Sequence, residues 1–213
     1  MHTTESPSSL SPLRRMRAEG GFSLIDILVV VGVMGIVAAI AIPSTQSSLA
    51  AYQLRGDAQQ VYNLVTLAKM RAASRFTRAR VRVDVDARTY QLQVWNKTTG
   101  RWDIEGTAIR LSRAHRFGFN GLAAAPPSTQ NAIALSEQCT GDDGAAIAGT
   151  ACITFNSRGL PITMIAPNTG LLNPSNALYL TDAQSLVYGV TVTTTPLIRF
   201  WWSRADVARW NPA

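Results

Sequence analysis

Few side chains in this 213-residue chain are spaced to do chemistry. Cys139 and Cys152 stand in a stretch that also holds Gly141, Asp142, Asp143, Gly144 and Gly149, a loop composition that lets the two thiols close a disulfide. Such a bridge would add about 3 kcal/mol and would persist only in an oxidising compartment; two free thiols are the other reading. Outside the first residues the sole histidine is His115, between Ala114 and Arg116, which reads as a surface or turn residue. Zinc takes about four ligands, and Asp142 with Asp143 supplies too few oxygens for calcium, so that pair reads as a solvated loop and no metal or cofactor is expected. The sequence contains no G-x-S-x-G, Walker loop, H-E-x-x-H or C-x-x-C. Nucleophilic, phosphate-loop and zinc-hydrolase mechanisms therefore have no residues to carry them, and the chain does not read as an enzyme.

Two groups point to binding instead. Arg199, Arg204 and Arg209 are interleaved with Phe200, Trp201, Trp202 and Trp210. Cations neutralise phosphates and rings stack on bases, so Arg199, Arg204, Arg209, Trp201 and Trp202 are candidate DNA contacts; alternatively the rings complete a core as an edge strand. Asp26 is a carboxylate in an otherwise apolar run. At a bilayer centre it would cost about 2.5–3.5 kcal/mol, so it needs a partner or a place at head-group level. The formal charge is +7, from 20 basic and 13 acidic residues. Lys69 and Lys97 are the only lysines. The excess of arginine either favours anionic partners, nucleic acid or phospholipid head groups, or serves solubility.

The elements that must position these groups begin with the run Phe22 to Ile42, interrupted only by Ser23 and Asp26. As a helix it covers about 30 Å, a bilayer core. Arg14, Arg15 and Arg17 precede it, so the positive-inside rule keeps residues 1–20 cytoplasmic and sends the remainder outward, in agreement with a disulfide. A secretory signal would be cut at small residues such as Ala38 to Ala41, losing the helix; a cut after Gly21, which follows Gly20 between the basic leader and Phe22, would keep it. Pro43 removes a backbone donor and is predicted to kink or locally melt the helix. Beyond it, Leu54, Ala58, Val61, Val65, Ala68 and Ala72 recur at alternating intervals of four and three, one face of an amphipathic helix over residues 44–75. The period then changes. Val81, Val83 and Val85 alternate with Arg80, Arg82 and Asp84, a strand with one buried face. Residues 90–95 and 101–104 continue an antiparallel meander, and 151–155, 161–165, 177–181, 186–193 and 197–202 are further strand segments. Residues 123–131 and 167–175 read as loops. The plan is a leader over 1–21, an apolar helix over 22–43, an amphipathic helix over 44–75 and a β-rich head over 76–213. It makes an α+β fold, a long N-terminal helix packed on an antiparallel head.

The residues Gly21-Phe22-Ser23-Leu24-Ile25-Asp26, with Gly32, Gly35 and Pro43, resemble the class III signal of type IV pilins and type II secretion pseudopilins. The resemblance implies that a prepilin peptidase cuts after Gly21 and methylates the new amine of Phe22. It also implies that Asp26, where the family has glutamate, pairs with the Phe22 amine of a neighbouring subunit. The order of helix, meander and cysteine loop, the phrase Ile153-Thr154-Phe155-Asn156-Ser157-Arg158-Gly159 and the helix end Leu67 to Arg75 resemble the GspH/FimT-type family, whose heads carry two small sheets. The implied role is a non-catalytic minor pilin or pseudopilin of a type IV pilus or type II secretion pseudopilus. It would sit in the inner membrane with its head in the periplasm before joining the filament. The implied partners are other major and minor pilins or pseudopilins, the peptidase, the inner-membrane assembly platform and the lipid bilayer. The alternative is a DNA-binding minor pilin at a pilus tip acting in DNA uptake. FimT-type proteins that bind DNA use Gly-Arg-x-Arg near the C-terminus, where this chain has Ser203-Arg204-Ala205-Asp206.

Overall fold

Helix α1 runs from Leu24 to Ser74. The computed structural model describes residues 23–166, 169–182, 184–207 and 209–213, with side chains at 41–47 and 166 outside the description. The leader 1–21 and Phe22 lie outside the described residues, as does the Pro43 side chain. The backbone at Pro43 is helical, so the expected local melting does not occur. A proline lacks only one donor, and the flanking turns keep their own hydrogen bonds.

The N-terminus of α1 is capped by the side chain of its own Asp26. The amides of Asp26 and Ile27 donate to Ser23 O, and the Ser23 amide donates to Asp26 Oδ2 at 3.2 Å. That is the return half of a capping box, which satisfies a helix-end donor with a carboxylate where the dipole favours one. The other end closes through Thr77 N to Ala72 O and Phe76 N to Ala73 O, with Phe76 left-handed at φ 49°. These are the two bonds of a Schellman motif, with phenylalanine where glycine is usual.

Among the described residues thirteen strands follow: β1 (Ala79–Asp84), β2 (Thr89–Asn96), β3 (Arg101–Arg110), β4 (Arg116–Phe117), β5 (Cys139–Thr140), β6 (Ala146–Ile147), β7 (Thr150–Phe155), β8 (Pro161–Ala166), β9 (Thr169–Leu172), β10 (Asn176–Thr181), β11 (Leu186–Val192), β12 (Ile198–Arg204) and β13 (Asn211–Pro212). They form a six-stranded sheet, β3-β2-β1-β7-β8-β9, a five-stranded sheet, β13-β12-β11-β10-β4, and the small pair β5-β6. Every pairing is antiparallel. The α+β class and the two main sheets are as expected. Residues 169–172, read as loop, are instead an edge strand paired with β8. Its four residues are all exposed, so no alternation marked it.

Leu54, Ala58, Val61, Val65, Ala68 and Ala72 are all wholly buried. They form one cluster with Val81 and Val83 of β1, Leu92 of β2, Ile153 and Phe155 of β7, and Leu178 and Val190 of the second sheet. A second cluster lies around Tyr179, Val187, Trp201 and Trp210. Every residue of both clusters falls between Leu54 and Trp210, so the unit Thr45–Ala213 carries its whole core and can fold by itself.

Candidate functional site

The unit Met1–Ser44 offers a different surface. From Leu24 to Ile40 every large apolar side chain is exposed, by 51–81%. These residues point to all sides of the helix, and the only ionisable group among them is Asp26. On the described residues alone, no helix is long and apolar enough to cross a membrane. The run read from sequence extends to Phe22 at one end and to Ala41 and Ile42 at the other, beyond the described side chains. An apolar surface on every side of a helix cannot be covered by that helix, and water is a poor solvent for it.

Asp26, the assembly candidate, sits in the first turn of this segment. Its carboxylate is held by the Ser23 amide, which belongs to the Phe22–Ser23 peptide, so a cut after Gly21 would leave this bond intact. Gly21 and Phe22, the processing candidates, are outside the described residues.

In the head, Cys139 and Cys152 form a disulfide that ties β5 to β7, with Cα atoms 5.0 Å apart. The C-terminal candidates separate. Trp201 is 7% exposed, and its Nε1 donates to Thr191 Oγ1 at 2.8 Å. Trp210 donates to Ala124 O at 2.8 Å. Trp202, on the opposite face of β12, is half-buried against the main core. Trp201 and Trp210 are thus core residues with satisfied N–H groups, whereas Arg199, Arg204 and Arg209 are exposed. Arg199 lies 5.8 Å from the Trp201 ring centroid, and Arg204 is 4.0 Å from Asp206.

Two features were not read from the sequence. His115 is no surface residue: it is wholly buried, with Nδ1 2.6 Å from Asp57 Oδ2. Asp57 also accepts the Ser112 amide at 3.0 Å and the Ser112 hydroxyl at 3.3 Å. One carboxylate of α1 therefore fastens the segment before β4 to the helix. Arg80, on the face of β1 expected to be wet, is 2% exposed. Its Nε donates to Gln93 Oε1 at 2.8 Å, its Nη1 to Thr140 O at 2.7 Å, and its guanidinium lies 3.9 Å from the Trp102 ring centroid. Burial, with the Arg82 charge adding and Asp142 opposing, pushes its pKa down to about 9. The strand beside the disulfide loop is covered on both faces, which period-two alternation does not anticipate. Burial also pushes the Tyr90 phenol up to about 12, with Asp57 adding to it. Burial raises Tyr179 and Tyr188 as well, Arg55 opposing at Tyr188.

A groove of about 680 Å³ lies where the start of the head's helical half meets the second sheet. Arg55, Tyr188, Trp202 and Arg204 are among its walls. Among the described residues, no group of three or more His, Cys, Asp or Glu side chains is placed to hold a metal ion.

No family model matches the chain, and no curated protein matches it. Among solved structures it is similar to the minor pseudopilin EpsH from the Type 2 Secretion System of Vibrio cholerae. The identity is 15%, over 70% of this chain and 95% of that one, with a TM-score of 0.43. A second crystal structure of that pseudopilin gives 15% identity, coverage of 70% and 92%, and a TM-score of 0.41. Likeness of that degree carries no functional weight.

Proposed function

We propose that this chain is a non-catalytic, pilin-like filament subunit, of the kind that builds a type IV pilus or a type II secretion pseudopilus. The observation that carries the proposal is the apolar surface presented on all sides by Leu24–Ile40, in the same helix whose later turns form the core of the head. A surface of that kind needs lipid around it, or copies of itself and of related subunits, and a filament subunit uses both in turn. The head then stands on the side where the Cys139–Cys152 disulfide persists. Prepilin peptidase removes residues 1–21, leaving Phe22 as a methylated N-terminus, and the assembly platform draws the subunit from the inner membrane. Asp26 then exchanges its local bond for the Phe22 amine of a neighbouring pilin.

The chain should resist carbonate extraction from membranes, and intact-mass spectrometry should find it starting at a methylated Phe22. A start at Met1 or after Ala41, or release by carbonate, overturns the reading. Gly21→Val should leave the leader attached. Asp26→Ala should cut incorporation into filaments, while Asp26→Glu should be tolerated; equal incorporation by the alanine variant would remove Asp26 from assembly.

A further inference from the structure

We infer that the end of the head built around Ser48–Asp57 is a docking surface for anionic phospholipid head groups, a proposal that rests on the membrane-anchored reading above. The two ends of the head treat their cations differently. At the Ser74 end, Arg71 and Arg75 both pair with Glu105, and Lys69 donates to Pro196 O at 2.9 Å. At the Ser48 end, Arg55, Arg88, Arg113 and Arg116 form no ion pair among the described residues, and Arg204 reaches only Asp206, at 4.0 Å with both side chains mostly exposed.

These arginines share one neighbourhood. Arg55 and Arg204 line the same groove, as does Asp182. Arg116 pairs across the sheet with Thr181, next to Asp182. Asp57, two residues along α1 from Arg55, binds Ser112 and His115, which flank Arg113. Arg88 Nη1 donates to Arg113 O at 2.8 Å.

Three nearby carboxylates, Asp57, Asp84 and Asp182, are turned to other partners rather than to these arginines. Asp57 holds Ser112 and His115. Asp182 Oδ1 accepts the amides of Gln184, Ser185 and Leu186 at 2.9, 3.1 and 3.1 Å. Asp84 accepts the Ala87 amide at 2.7 Å. The buried His115–Asp57 contact thus acquires a use: it fixes the loop that displays Arg113 and Arg116, so little ordering entropy is lost when they meet an anion. Trp202, half-buried in the groove wall, is of the ring type that settles at a membrane–water boundary.

Lipid is the favoured occupant because of reach. Ser48 in the groove wall lies six positions beyond Ile42, the end of the apolar run. A chain of that length spans at most about 22 Å at any angle. If the run is in a bilayer, this surface is held within a short distance of the phosphates, and each arginine near an anionic surface strengthens association about fivefold.

The head starting at Thr45, which holds its entire core, allows a test without the apolar helix. It should sediment with phosphatidylcholine vesicles containing phosphatidylglycerol, should not sediment with phosphatidylcholine alone, and should be released by salt. Arg55→Ala, Arg113→Ala and Arg116→Ala together should lower partitioning about 100-fold, whereas Arg199→Ala, at the other end of β12, should leave it unchanged. Absence of sedimentation at low salt, or an equal loss with Arg199→Ala, overturns the proposal. So does duplex DNA binding lost in the triple variant without any vesicle binding, which would give the surface to nucleic acid. Carbonate extraction of the full chain tests the anchor separately, so failure of either reading is visible without the other.

Discussion

Leu24–Ile40 and Leu54–Ala72 belong to one helix, yet they relate to protein in opposite ways. In the later half, six small or medium apolar residues form one stripe and vanish into the core, while Arg55 and Gln59 off the stripe stay exposed. In the earlier half, apolar residues occupy every face and none is buried. Secondary structure is the same in both; only the placement of polar residues differs. A stripe can be satisfied within one chain, because a sheet covers one face of a helix, whereas a helix apolar all round needs a surrounding medium. The two aspartates follow the same division. Among the described residues Asp26 bonds only to the backbone of its own first turn, and Asp57 binds a segment 55 to 58 residues away.

The comparison breaks most visibly under one substitution made in both halves. Val61→Asp places a carboxylate at a wholly buried position with no partner, at a cost of several kcal/mol, comparable to the total stability of a domain this size. The head should be unfolded or insoluble. Val33→Asp, at an exposed position, should leave the melting temperature of the head unchanged and instead lower membrane retention about 100-fold, from an insertion cost of about 2.5–3.5 kcal/mol. Unfolding of the head by Val33→Asp, as read by circular dichroism, would show that the earlier half is not independent.

How far the sequence discloses this follows from the range of each interaction. The stripe from Leu54 to Ala72, the strands and the cysteine pair are legible because their signals are local: a period of 3.6, a period of two, two cysteines across a glycine-rich loop. His115–Asp57 is not, since nothing near either residue marks a partner 58 positions away. Arg80 looks solvent-facing by alternation, and only the arrival of Thr140, 60 residues on, covers it. The Arg/aromatic tail carries two meanings in sequence, and the structure divides them by strand face, Trp201 to the second core and Trp202 to the first. The basic end of the head was invisible for the same reason: Arg55, Arg88, Arg116 and Arg204 come from four separate stretches.

Asp57→Ala sharpens the contrast between the two aspartates. It strands the Ser112 amide, the Ser112 hydroxyl and His115 Nδ1, and should cost the head about 3 kcal/mol in urea denaturation. Asp26→Ala should cost the head nothing. A smaller effect distinguishes the buried half by pH. Tyr90, whose hydroxyl donates to Gln60 Oε1 at 3.0 Å, has its pKa raised from 10.0 to about 12. Between those values the folded head keeps a proton that the unfolded chain has lost, so stability present below pH 10 falls as pH rises toward 12, by on the order of 2 kcal/mol from this residue. Tyr179 and Tyr188 add to the same alkaline limb. Tyr90→Phe should be slightly less stable at pH 8 and should lose less stability between pH 8 and 11 than the parent; an unchanged slope would mean that Tyr90 does not carry it.

The smallest effect concerns how the buried half stops. Phe76 holds the left-handed position that ends α1, at φ 49°, with its ring 73% exposed. A left-handed conformation costs a residue with a Cβ about 1–2 kcal/mol, and glycine escapes that cost while giving back part of the gain through its freer unfolded chain. Phe76→Gly should therefore raise the stability of the head by about 0.5–1 kcal/mol if the exposed ring contributes little. The ring does line a groove with Arg78 and Trp95, which is where a contribution would come from. Loss of stability in Phe76→Gly would show that this contact outweighs the backbone strain, and Phe76→Asn, which tolerates the same φ without the ring, would then be destabilised too. A gain in both variants would show that the left-handed backbone at Phe76, and not the loss of its ring, sets the cost of ending α1 at Ser74.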